Sequence, residues 1–185
     1  MGKNYVIINN IKSDTFPKLL IEELPPMQLP QKKVEEIEVE GMDGVLTITD
    51  NCYMNTQKSI KCKLIGGEDI DSLALWLSNC EEIIFSHKPD RYYKAKLKNQ
   101  IDFERNILQN RGFIAVFDCQ PFGYLIDNSM ITITSNNKSF NGKGTHWSEP
   151  IIKVYGSGTI NLTINDNQIT LKDVVEYITV DSSKK

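Results

Sequence analysis

Five side chains capable of acid–base chemistry fall within SHKPDRYYKA, residues 86–95. His87 can serve as a base, Asp90 can orient it, and Arg91, Tyr92 and Tyr93 can clamp a developing oxyanion. A working site needs these groups in hydrogen-bond contact with one another. The local pattern argues against that convergence. Lys88-Pro89-Asp90 is turn chemistry. Tyr92 and Tyr93 open an alternating run, so they point to opposite faces of a strand. The other histidine, His146, lies far along the chain, and no Gly-x-Ser-x-Gly elbow frames a nucleophile. The stretch reads as a loop entering a strand, with Asp90 and Arg91 as a surface pair or a subunit contact. Asp69 and Asp71 could pair as catalytic carboxylates. They crowd a helix start, where capping free N–H groups and meeting the helix dipole explain them better. No catalytic residue is expected.

The composition sets outer bounds. The chain has 185 residues, 40% hydrophobic and 24% charged, as a folded domain or two would have. A net charge of -3 argues against non-specific nucleic-acid binding, which needs a basic footprint. No apolar run is long enough for a membrane span, and MGKNYVIINN lacks the parts of a signal peptide. Val6 also breaks the myristoylation pattern. Cys52, Cys62, Cys80 and Cys119 match no zinc or redox spacing, so reduced thiols are expected, with Cys62 and Cys119 packed inside strands. No metal and no cofactor are expected. The triplets at 137–139 and 161–163 fit the glycosylation pattern but carry no weight without a secretion route.

Short strands dominate. Residues 58–66 alternate with Ile60, Cys62 and Leu64 on one face and Lys61 and Lys63 on the other. Residues 92–99 place Tyr93, Ala95 and Leu97 inward and Lys94, Lys96 and Lys98 outward. FIAVFDC, 113–119, is apolar on both faces and predicts a central strand covered on both sides. Pro121 cannot donate to a ladder and ends it. MITIT (130–134), PIIKVYG (150–156) and EYITV (176–180) predict further strands, and TINLTIN (159–165) with QITL (168–171) a hairpin turning at 165–167. One helix is predicted over 68–80, where Ile70, Leu73, Ala74 and Leu77 recur at helical spacing. LPPMQLPQKK, 24–33, holds three of the seven prolines and reads as an extended arm. Beyond about residue 124 charge falls and Thr, Asn, Ser and Gly rise. The expected division is therefore 1–123 and 124–185; the second part is short for a β-sandwich, and either is incomplete, needs a partner chain or packs on the first.

Three pieces in order carry a resemblance: the turn VEGMDG (39–44), the run DRYYKA (90–95) and the closure FDCQPFGY (117–124). With the N-terminal strand, the helix and the segment IDFER (101–105), the series resembles the distal tail proteins of long, flexible-tailed phages of Gram-positive hosts. The resemblance implies a mainly β chain: an N-terminal β-sandwich with one α-helix, then a partial galectin-like β-sandwich. It implies a structural protein of the virion tail tip, made in the bacterial cytoplasm. Six copies would form a ring joining the tail tube to the tail-associated and host-binding proteins. DNA would pass through its lumen without specific binding. It implies no enzyme activity, and family members run further at the C-terminus than VDSSKK.

Two features invite a sharper reading. Gly41 and Gly44 flank Met42-Asp43 and supply the backbone freedom of a tight turn between strands 36–40 and 45–49. In VEEIEVE, Glu36, Glu38 and Glu40 fall on one strand face, with Ile37 and Val39 on the other. That row is a solvated face or, in a ring, an acidic wall toward the lumen that repels phosphates. The alternative function is a carbohydrate-binding module for host-surface attachment, with Trp147 in GKGTHWSEP stacking on a sugar ring. Fold likeness to galectins would not by itself carry that activity. The strand edges at 4–10 and 34–40 and the arm at 24–33 are the expected subunit contacts, because adding strands edge to edge joins copies readily.

Overall fold

In a computed structural model of the chain, residues 3–66, 69–101, 110–127, 129–136, 138–182 and 184 are described. The chain divides into two units, Met1–Met130 and Ile131–Lys185. In the first, β1 (Val6–Ile8) and β2 (Ile11–Lys12) form a tight hairpin, followed by a 3-10 turn at Ser13–Thr15 and β3 (Leu19–Glu23). Next come β4 (Lys32–Glu38), β5 (Val45–Tyr53), β6 (Thr56–Ile65) and the helix α1 (Ile70–Ser78). The unit closes with β7 (Glu82–Phe85), β8 (Arg91–Leu97), β9 (Asn110–Cys119) and β10 (Tyr124–Leu125). The second unit holds β11 (Ile151–Tyr155), β12 (Gly158–Ile164), β13 (Asn167–Val174) and β14 (Tyr177–Asp181). The protein is mainly β with one α-helix, and its curled sheets fit the expected sandwich class.

The first unit is built on one curled antiparallel sheet, ordered β2-β1-β7-β8-β9-β6-β3. The strand β8 is the seam. One edge pairs with β7, through Glu82 opposite Lys94 and Ile83 opposite Tyr93. The other pairs with β9, Ala95 opposite Cys119, and further along with β10, Tyr124 opposite Tyr92. β10 thus continues β9 along the same edge of β8, interrupted by Gln120-Pro121-Phe122-Gly123. The Gln120 N–H still donates to Lys94 O at 2.9 Å, and Pro121 then stops the ladder. Because Tyr124 and Leu125 stay in this sheet, the first unit runs to Met130, past the expected limit at 123.

Alternation buries one face. Ile60, Cys62 and Leu64 of β6 and Phe113, Ala115, Phe117 and Cys119 of β9 line the core, with Val6, Ile8, Ile83 and Phe85 from the other strands. β9 was expected to be covered on both sides. It is covered on one, and Ile114 on the outer face is 53% exposed. Helix α1 adds Leu73, Trp76 and Leu77 to the core, while Ile70 packs only partly buried at its edge. Its N-cap is Asp69, whose carboxylate accepts from the Asp71 and Ser72 N–H groups at 3.1 and 3.3 Å and from the Ser72 hydroxyl. Those contacts hold the Asp69 carboxyl below its ordinary pKa. Both carboxylates therefore belong to a helix start.

The Asn9-Asn10 turn is the local device the alternation pattern did not reveal. Both residues adopt positive φ, 47° and 67°, which a two-residue hairpin requires and asparagine tolerates. The Asn9 side chain then ties three segments together. Its Nδ2 donates to Asn79 O at 2.6 Å, and its Oδ1 accepts from the Glu81 and Glu82 N–H groups at 3.1 and 3.0 Å. Sequence reading had a signal for it, an Asn-Asn pair between two apolar runs.

The second unit nests one pair inside another: β11 with β14, and β12 with β13 between them in sequence. The inner hairpin turns at Asn165-Asp166, Asn165 having φ 53°, as the pattern at 165–167 required. Among its described residues only Leu171 and Val174 are buried. MITIT (130–134) does not form a strand, and Met130, Ile131 and Ile133 stay exposed with no pairing partner among the described residues.

Two outcomes follow from these contacts. Asn9→Ala removes three hydrogen bonds at a partly solvated site and should lower stability by about 1–3 kcal/mol, read by chemical denaturation; an unchanged midpoint would contradict the tie. Burial pushes the thiols of Cys62, Cys80 and Cys119 from 9.0 up to about 12. Between those values the folded chain keeps protons that the unfolded chain has lost. Stability should therefore be full below pH 9 and fall as pH rises above it, by at most about 1.4 kcal/mol per pH unit for each thiol. Denaturation curves at pH 8 and 10 check this; Cys→Ala replacements should flatten the fall.

Candidate functional site

The residues of SHKPDRYYKA are held by the fold, and they do not converge. Ser86 anchors the loop: its N–H donates to Tyr5 O at 3.0 Å, and its Oγ accepts from the Tyr5 N–H at 3.1 Å. The Lys88 N–H closes a turn on Phe85 O at 2.9 Å. His87 is exposed and lies against the Phe85 ring at 5.9 Å between centroids. Partial burial, with Lys58 and Lys88 nearby, lowers its pKa. Asp90 and Arg91 form a two-pronged ion pair at 2.7 and 3.2 Å, which lowers the Asp90 pKa. With both its oxygens engaged by Arg91, Asp90 is a poor orienting group for His87. Tyr92 stacks on Tyr124 at 5.3 Å on one face of β8, and Tyr93 packs toward Phe85 at 5.9 Å on the other. The three buried thiols, held protonated by burial, are poor nucleophiles. No cluster of metal-binding side chains occurs among the described residues. No helix there is long and apolar enough to cross a membrane.

The distinctive surface is the ribbon of β4 and β5. Among the described residues the two strands pair only with each other, and every residue from 31 to 52 is exposed. The expected arm at 24–33 is the root of this ribbon, with Pro25 buried, and the projecting part is 32–53. The root is fastened by Met54 N–H to Gln31 O at 2.9 Å and by Tyr53 packing edge-on to Phe122 at 5.0 Å. Near the root the register shifts between Lys32 and Val34, where Asn51 takes a left-handed φ of 55°. At the tip the Met42 N–H donates to Val39 O at 3.1 Å, with Gly41 at φ 82° in the position where a type II turn needs positive φ. Gly44, φ 87°, returns the chain to β5.

The ribbon is two-faced. Ile37 sits opposite Leu46 and Glu35 opposite Ile48. Those rows put Ile37, Leu46 and Ile48 on one side, all exposed. The other side carries Val34 opposite Thr49, Glu36 opposite Thr47 and Glu38 opposite Val45. Glu36 and Glu38 therefore share a face as expected. Glu40 does not join them, because β4 ends at Glu38 and the Val39–Met42 turn carries Glu40 out of the strand. In the second unit Trp147 is 71% exposed, beside His146 at 5.4 Å.

No protein-family model and no curated protein matches the chain. Its backbone nevertheless superposes on the crystal structure of SPP1 Dit (gp 19.1), described as a paradigm of hub adsorption apparatus in Gram-positive-infecting phages, with a TM-score of 0.54. The chain therefore shares the fold of SPP1 Dit. The match covers 87% of the present chain and 58% of the SPP1 Dit chain at 13% identity. At that identity the likeness is one of architecture, and it coincides with the resemblance that VEGMDG, DRYYKA and FDCQPFGY carry in sequence. The present chain spans little more than half the length of SPP1 Dit.

The ribbon adds nothing to the core of its own copy. Replacing residues 33–52 with a short Gly-Ser link should change the chain's stability by less than about 1 kcal/mol, measured by denaturant titration. A larger loss would mean that the ribbon packs on its own unit. By contrast, Gly123→Ala should destabilise the chain, since a Cβ there would stand 2.9 Å from Arg91 Cδ and 3.2 Å from the Tyr93 ring.

Proposed function

We propose that this chain is a structural hub of a phage tail tip. Copies close into a ring of six that joins the tail tube to the tail-associated and host-binding proteins. The observation that carries the reading is the exposed ribbon on a distal-tail-protein fold. An apolar row of Ile37, Leu46 and Ile48 on one face of the ribbon stays exposed among the described residues. A free two-stranded ribbon is marginal in water by itself and gains stability by lying on a second copy. Light scattering after size exclusion, followed by negative-stain imaging, tests it. A six-fold ring lost on replacing residues 33–52 is the expected result. A chain that stays monomeric at every concentration, and fails to form rings with co-expressed tail proteins, would refute it.

Within the ring, Glu36 and Glu38 share a ribbon face that forms an acidic wall toward the lumen, past which DNA slides, with Glu40 apart from that face in the turn at the tip. Reversing all three to Lys should make the assembled ring retain DNA at low salt and release it as salt rises. Equal DNA affinity before and after reversal would remove the lumen assignment. A second reading, sugar binding at the host surface, is favoured by one feature, the exposed Trp147 ring. Saturable glycan binding abolished by Trp147→Ala would support it.

A further inference from the structure

Lys58 stands on the core-facing side of β6, in the row that continues as Ile60, Cys62 and Leu64. It is only 5% exposed. Among the described residues no carboxylate pairs with it. Its Nζ lies 4.8 Å from the centroid of the Tyr93 ring, whose π face attracts the ammonium without neutralising it. Asp90, the acid of the neighbouring loop, has both oxygens engaged by Arg91. One rung along the same face is Thr56, opposite Cys119, while Lys58 is opposite Phe117. The Thr56 Oγ1 is buried and has no hydrogen-bond partner among the described residues.

A buried ammonium without an anion is costly, and so is a buried hydroxyl without a partner. Here the two stand in adjacent rungs of one sheet face. Both are donors; Lys58 lies against the Tyr93 ring and opposite Phe117, and Thr56 stands opposite Cys119. We propose that the Lys58–Thr56 end of the first-unit core is a binding site for an oxyanion, whose oxygens accept from the Lys58 ammonium and the Thr56 hydroxyl. The oxyanion is a carboxylate or phosphate group. It comes either from free anion in solution or from an acidic side chain of a second copy, and the latter source rests on the ring reading above.

The test uses the full chain, Lys58→Met and Thr56→Val. The Thr56→Val variant keeps the side-chain shape, so it serves even where loss of the lysine disturbs folding. Thermal midpoints are compared in sodium phosphate, sodium acetate and sodium chloride of matched ionic strength. A midpoint rise specific to phosphate or acetate, with apparent affinity weakened about ten- to a hundredfold in either variant, assigns the site to small anions. No specific rise, but loss of assembled mass in folded Thr56→Val, assigns it to a carboxylate of the neighbouring copy. If neither the midpoints nor the assembled mass depends on Thr56 and Lys58, the site is overturned. The anion measurement decides the small-ion source even where no ring forms, so it stands apart from the hub reading.

Discussion

The first unit depends on the backbone pairing of β8 along both of its edges. Arg91–Leu97 receives β7 on one side and β9 with β10 on the other. Without that seam, the hairpin and β7 would be one short sheet, and β9, β6 and β3 another. The Ala95 N–H donates to Glu81 O at 2.8 Å, so the strand is fastened at its middle to the segment that follows the helix. Ala95 itself is buried in the core. The same constraint disposes of the apparent active site. A strand bonded along both edges has its side chains committed to two faces, and Tyr92 and Tyr93 cannot meet.

From that seam the rest follows in layers. The inward rows of β6 and β9 bury a continuous apolar strip, and α1 covers part of it with Leu73, Trp76 and Leu77. The loop 119–124 holds Pro121 and Gly123, so the edge of β8 is paired twice with a gap between. Phe122 in that gap reaches the root of the ribbon at Tyr53. The rigid sheet thus presents the ribbon from a fixed base, while the ribbon itself contributes nothing to the core. That separation of a stable scaffold from an exposed paired arm is what an assembling protein needs.

Much of this was legible in the sequence, and the gaps have physical causes. Alternation at 58–66 and 92–99 gave the inward rows correctly, because one face of each strand meets the core. The Gly41 and Gly44 pair marked a turn because positive φ is otherwise strained. FIAVFDC misled, since an apolar outer face can remain exposed where no second layer covers it, as Ile114 shows. MITIT has strand composition but no neighbour to bond with, and composition alone does not supply one. Glu40 was grouped with Glu36 and Glu38 by parity, and a turn hydrogen bond at Val39 ended that parity two residues early. The Lys58–Thr56 pair escaped notice because a lysine at an inward position reads as one more charge in a lysine-rich strand. Only burial and the lack of a carboxylate partner among the described residues set it apart.

The hub reading stands or falls with the β4–β5 ribbon as a contact between copies. Hydrogen exchange of the amides from Val34 to Tyr53, followed as protein concentration rises, tests it most directly. Fast exchange is expected in dilute monomer, with protection that grows in step with assembled mass, while the amides of β6 and β9 stay protected throughout. Ribbon amides that exchange equally fast in monomer and assembly would contradict it.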